Sequence, residues 1–157
     1  MSRALGAARR VLLAGVVSAS ALGAAACGPE GPRPLRVWTK NYELRITSDP
    51  SPPRAREVTR YRIVVLDRNT RQAIDRGAGQ IFAKSADGAS VYDAFEPAAE
   101  AGTYTARLSF ITAGDWRINV RFQREPGPDV GPSLEKPVDD WVQAVRGARP
   151  IEERPTQ

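Results

Sequence analysis

Apolar and polar residues alternate almost without a break between Gly102 and Phe122. Tyr104, Ala106, Leu108 and Phe110 fall on one side of an extended chain, and Trp116, Ile118, Val120 and Phe122 fall on one side of the next. Arg107, Ser109, Arg117, Asn119 and Arg121 take the opposite sides. A period of two residues predicts two half-buried strands, and the short segment between them predicts a β-hairpin. A ribbon with one apolar and one charged face needs a second sheet laid against it, so the pattern predicts a small antiparallel sandwich.

Further strands follow from the same pattern. Leu35–Thr39 and Tyr42–Thr47 read as short strands, the second alternating Tyr42, Leu44 and Ile46 with Glu43, Arg45 and Thr47. Glu57–Asp67 carries Tyr61, Ile63 and Val65 on one side and Val64 and Leu66 on the other, which predicts a central position. Gln80–Lys84 and Ser90–Phe95 complete the set. Turn chemistry separates them: Asp49-Pro50-Ser51-Pro52-Pro53 forbids ladder pairing, and Asp67-Arg68-Asn69-Thr70 and Ala86-Asp87-Gly88 favour tight reversals. The expected fold is all-β, an immunoglobulin-like antiparallel β-sandwich over residues 35–123 with a short C-terminal helix.

That helix is expected in residues 124–157, after a linker that begins Arg124-Glu125-Pro126-Gly127-Pro128. Pro137 suits a first helical turn, Asp139 and Asp140 suit its positive end, and Gly147 and Pro150 close it. Val138, Trp141, Val142 and Val145 then form an apolar stripe at i, i+3, i+4 and i+7. The stripe either docks on the sandwich or binds a protein partner; these four residues are the candidate partner-binding site.

The N-terminus changes the picture from fold to address. Arg3, Arg9 and Arg10 precede an apolar, Ala- and Gly-rich run from Val11 to Ala26, as in a secretory signal peptide (residues 1–26). The run ends Ala24-Ala25-Ala26-Cys27 and resembles a bacterial lipoprotein signal, in which the cysteine becomes the first mature residue and carries lipid. Ordinary signal peptidase would also accept the three alanines and would leave Cys27 a free thiol. Residues 27–34, opening Cys27-Gly28-Pro29-Glu30-Gly31-Pro32, read as a Pro/Gly tether. The expectation is an exported domain anchored to the cell or outer membrane through Cys27, facing the periplasm or cell exterior, with an envelope protein as partner.

Charge and residue counts narrow the chemistry. The chain has 23 basic and 18 acidic residues; removing the three leader arginines leaves 20 against 18, a net of +2. The remaining charges are interspersed, without a basic run or basic-aromatic stripe in sequence, which argues against nucleic acid. There is no histidine, the one methionine is Met1 and the one cysteine is Cys27. Soft and imidazole metal ligands are therefore missing, and Asp87, Asp93, Asp139 and Asp140 lack the spacing of a calcium loop, so no metal or cofactor is expected. Neither a Ser-His-acid nor a Cys-His nucleophile can be built, so no catalytic residue is assigned and the chain is not expected to be an enzyme.

Two resemblances add to this reading. Glu100-Ala101-Gly102-Thr103-Tyr104-Thr105-Ala106 resembles the tyrosine corner of immunoglobulin-like folds, whose phenol bonds to upstream backbone at the start of the sixth strand. Ala106 stands where a cysteine often follows, so packing alone must hold the sheets. Tyr42-Glu43-Leu44-Arg45-Ile46, Tyr61–Asp67, Gly102-Thr103-Tyr104 and Gly114-Asp115-Trp116-Arg117-Ile118-Asn119-Val120 together resemble the YtkA-like and FixH-like extracytoplasmic domains. The resemblance, over about residues 40–122, implies an accessory role at a bacterial membrane, which in the FixH-like branch serves a respiratory oxidase. Some related sandwiches handle copper, for which this chain has no soft ligands. The alternative is a small-ligand or metal-cargo carrier, which would need a pocket lined by aromatics such as Trp38, Tyr42, Tyr92 and Phe95.

Overall fold

The computed structural model describes residues 33–125, 134–136 and 140–150. The leader, Cys27, most of the tether, the linker from Pro126 to Pro132, Pro137, Val138, Asp139 and the tail from Ile151 lie outside the described residues.

Every regular element among the described residues is a strand: β1 Leu35–Trp38, β2 Tyr42–Asp49, β3 Val58–Asp67, β4 Gly77–Ser85, β5 Ser90–Ala94, β6 Glu96–Pro97, β7 Thr103–Ser109, β8 Gly114–Arg124, β9 Leu134–Glu135 and β10 Trp141–Val145. One sheet runs β1-β2-β3-β7-β6, and the other runs β10-β8-β4-β5 with β9 also paired to β8. All the strand pairs are antiparallel. β3 is central, as its two-sided apolarity predicted. With β3 bonded to β7 and β4 bonded to β8, strands β2-β3-β7 take the places of A-B-E of an immunoglobulin-like sandwich, and β10-β8-β4-β5 those of G-F-C-C′.

The two inner faces make one core. Leu44, Ile63, Val65 and Leu108 from the first sheet meet Ile81, Trp116, Ile118, Val120 and Phe122 from the second, all at most 1% exposed. Tyr42 and Tyr104 stand edge-on to Phe122 at 5.2 and 5.4 Å between ring centres, a geometry that sets ring edges against ring faces. Gly79 is needed beneath Phe95, because a Cβ there would lie 2.1 Å from the ring.

The expected hairpin from Gly102 to Phe122 is corrected. β7 bonds to β3 and β6, whereas β8 bonds to β4, β9 and β10, so the chain crosses between sheets at Phe110–Ala113. The alternation is the same either way, since it records which face is apolar and not which neighbour supplies the ladder. The apolar faces of β7 and β8 meet across the core, and Phe110 packs edge-on against Trp116 with centres 5.2 Å apart.

The tyrosine motif is displaced in the same way. The Tyr104 hydroxyl donates to the Ile74 carbonyl at 2.8 Å, so the phenol does bond upstream backbone. It does so from the strand equivalent to E, ahead of the crossover, and reaches the β3–β4 connection. Gly102 begins this turn at φ 64°, where a Cβ would crowd the Val65 carbonyl at 2.9 Å. Burial, with the charge of Asp75 adding, pushes the Tyr104 phenol up to about 12.

The predicted C-terminal helix is also corrected: Trp141–Val145 is a strand, in register Trp141 with Ile118, Val142 with Arg117 and Val145 with Gly114. A single helix this short is marginal in water, whereas the edge of β8 supplies ladder bonds and burial together. The β-branched Val142 and Val145 suit that outcome.

Candidate interaction face

Pairing places the residues of β10, β8, β4 and β5 in rows on the outer face of their sheet. Val142, Arg117, Lys84 and Ser90 form one row by successive register, Asn119, Phe82 and Tyr92 a second, and Arg121, Gln80 and Ala94 a third. Each row is outward because Trp116, Ile118, Val120 and Ile81, Ala83 occupy the alternate, inward positions. Tyr92 is 73% exposed and Val142 63%. Arg121 lies over the Phe82 ring, 5.1 Å from its centre, which holds a cation against the aromatic centre of the face. An open hollow of about 470 Å³ is lined by Lys84, Ser85, Ala86, Asp115, Arg117 and Val142.

Among the described residues, Lys84, Arg117 and Arg121 form no ion pair. Of the acids on this face, Asp115 shares the hollow with Lys84 and Arg117 without an ion pair to either. Asp140 accepts from the Asn119 amide, and Asp115 lies beside Ala144 at the end of the sheet. Asn119 is buried, yet its Oδ1 has no hydrogen-bond partner.

The four residues expected to share a helical stripe do not share a face. Trp141 turns inward and packs, half-buried, against the core; Val145 is buried with it; Val142 points outward beside Arg117. Val138 and Cys27 lie outside the described residues. Of the three described residues of the stripe, only Val142 is exposed to solvent.

The aromatics proposed for a carrier pocket are dispersed. Tyr42 and Phe95 are buried around Phe122, the latter at 6.4 Å, whereas Trp38 is exposed on edge strand β1 and Tyr92 on β5. Another hollow, of about 360 Å³, opens between the β1–β2 edge and β10 and is lined by Leu35, Ile46, Ser48, Tyr61, Trp141 and Gln143 among others. Its polar groups satisfy one another: the Tyr61 hydroxyl donates to Gln143 Oε1 at 2.8 Å, and Gln143 Nε2 donates to Ser48 Oγ at 3.5 Å. Burial pushes the Tyr61 phenol well above its ordinary value, so it stays neutral.

Of the acids considered for calcium, Asp87, Asp93 and Asp140 are engaged locally, and Asp139 lies outside the described residues. Asp87 accepts from the Ser85 hydroxyl, and Asp93 accepts the Arg107 backbone N–H at 2.7 Å. Among the described residues no three potential metal ligands gather.

Searching family models with the chain returned no match, and no curated protein matches it. Two solved structures are similar. FetP of uropathogenic E. coli strain F11, expressed in the periplasm of E. coli, is 13% identical with a TM-score of 0.46 over 72% of this chain and 96% of that one. The C-terminal domain of wzt is 12% identical with a TM-score of 0.44 over 81% and 90%.

Sequence alternation alone pointed Arg117, Asn119 and Arg121 outward. It missed Lys84, Phe82 and Tyr92 as their neighbours, because only the register of β8 on β4 and of β4 on β5 brings them together.

Proposed function

We propose that this chain is a non-catalytic accessory protein of the bacterial envelope, exported and tethered by lipid on Cys27. Its sandwich binds or helps assemble an envelope or respiratory protein complex, in the manner of the YtkA-like and FixH-like domains its motifs resemble. The observation that carries this reading is the contrast between a filled interior and an unpaired outer face. Phe110, Trp116 and Phe122 are fully buried in the core, while Tyr92 and Val142 stand in solvent beside cations without carboxylate partners. A carrier would need the reverse, and the dispersal of Trp38, Tyr42, Tyr92 and Phe95 removes the pocket on which that alternative stood.

Fractionation with a labelled fatty acid tests the tether. Wild type is expected to pellet with the envelope and carry label, and Cys27→Ala to lose both. A Cys27→Ala chain that still pellets, beside an unlabelled wild type, would end the lipid reading. Cross-linking in membranes tests the binding role: Val142→Glu is expected to lose a partner that wild type captures.

A further inference from the structure

We propose that the outer face of the β10-β8-β4-β5 sheet docks an acidic, aromatic-containing protein segment. This rests on the binding role above and adds its surface and its chemistry. Two features of the face converge on that occupant.

Its cations are uncommitted. Lys84 and Arg117 sit side by side in register, Arg121 lies two rows away on the same strand as Arg117, and none meets a carboxylate among the described residues. On the opposite outer face Arg45 and Arg71 meet Glu43, Arg62 meets Glu100 and Arg107 meets Glu96, while Arg36 and Arg60 form no ion pair among the described residues. Carboxylates from outside would complete the cations of the first face.

Its centre is apolar and aromatic. Phe82 and Tyr92 are paired neighbours between the two cationic rows, and the Arg121 guanidinium already covers part of the Phe82 ring. Arginine with tyrosine and phenylalanine at the middle of a patch is the composition that concentrates binding energy in protein interfaces.

The test uses the full chain carrying Cys27→Ala, so that binding is read without lipid. Fluorescence anisotropy follows labelled poly(Glu,Tyr) and poly-L-glutamate at low salt. Poly(Glu,Tyr) is expected to bind more tightly, with Lys84→Glu/Arg117→Glu/Arg121→Glu weakening it at least about tenfold. The milder Arg117→Gln/Arg121→Gln pair is expected to weaken it severalfold, and Phe82→Ser/Tyr92→Ser to abolish the preference for the tyrosine-containing polymer. Arg36→Glu/Arg60→Glu/Arg62→Glu makes the same charge change on the opposite face and is expected to bind within about twofold of its parent.

Equal binding by the triple reversal overturns the proposal, as does equal weakening by the opposite-face control, which would reduce the effect to net charge. Capture by phosphatidylglycerol vesicles without polymer binding would assign the face to lipid instead. Self-association abolished by the triple reversal would assign it to a second copy. A failure in any arm leaves the Cys27 fractionation result intact, so the two readings fall separately.

Discussion

The two outer faces of the sandwich solve the same problem in opposite ways. On the β1-β2-β3-β7-β6 sheet, Glu43 is fully buried, accepts from Arg45 Nε at 2.8 Å and is met on its other oxygen by Arg71. Arg71 comes from the β3–β4 turn and holds φ 63°, a left-handed conformation that disfavours an ordinary side chain. Asp67 organises that turn by accepting the backbone N–H groups of Asn69 and Thr70, both at 2.9 Å. Charge on this side is used to fasten the chain to itself. The β10-β8-β4-β5 sheet has a comparable cationic supply but leaves it beside open aromatics. Arg45, Arg62, Arg71 and Arg107 thus fasten one face while Lys84, Arg117 and Arg121 stay available on the other, and what separates them is whether a carboxylate arrives from a neighbouring strand or loop.

The core common to both faces sets the largest effect and the baseline for the rest. Trp116→Ala or Phe110→Ala is expected to cost about 3–5 kcal/mol in thermal or urea melts; wild-type stability would show that the faces do not share one core. Alkali acts on that core next. Tyr104 is raised to about 12, and Tyr61 and Tyr42 are also raised. A phenol raised in the fold stabilises it fully below the unfolded value near 10 and loses that stabilisation as pH climbs through the folded value. Stability is therefore expected to fall as pH rises from about 10 toward 12, with tyrosinate absorbance rising in step with unfolding.

The self-fastened face is expected to respond less than the core and more than the open one. Glu43→Ala leaves two half-exposed arginines unpaired and empties a buried site, at a cost of about 2–3 kcal/mol in urea titration. Asp67→Ala is expected to cost about 1 kcal/mol at neutral pH. The Thr70 N–H above all, with that of Asn69, holds the Asp67 carboxyl below the usual range. Its contribution is present above the ordinary carboxylate value and disappears as pH falls through the lowered one, so the gap between wild type and Asp67→Ala should close in acid. Arg117→Ala and Arg121→Ala on the open face are expected within about 0.5 kcal/mol of wild type. A larger loss there would erase the distinction between the two faces.

Most of the layer architecture was legible because alternation reports burial directly. Tyr104–Phe110 and Trp116–Phe122 lie inward as their pattern requires, and β3 is central as its two apolar sides require. Pairing was not legible, because a two-residue period is indifferent to which strand lies alongside. The hairpin expected across Ile111–Ala113 is an arch for that reason, and Tyr104 makes its backbone bond from the sheet opposite the one expected. The stripe of Val138, Trp141, Val142 and Val145 failed differently. Trp141, Gln143 and Val145 also alternate, and five residues cannot distinguish a period of 3.6 from one of 2. Of the candidate face, the outward arginines of β8 were visible and their aromatic neighbours on β4 and β5 were not.

The arch at Phe110–Ala113 also governs how the chain reaches this state. Pairing β7 with β3 joins Val64 to Thr103 and Val58 to Ser109, and pairing β8 with β4 joins Ser85 to Trp116 and Gly77 to Arg124. Each sheet must therefore close long loops before these ladders stabilise it, a topology that folds in milliseconds to seconds. The local β2–β3 and β4–β5 hairpins have no such delay. Until residues 110–116 cross, whichever layer assembles first shows a bare greasy side to its surroundings, so premature association is a hazard confined to that interval.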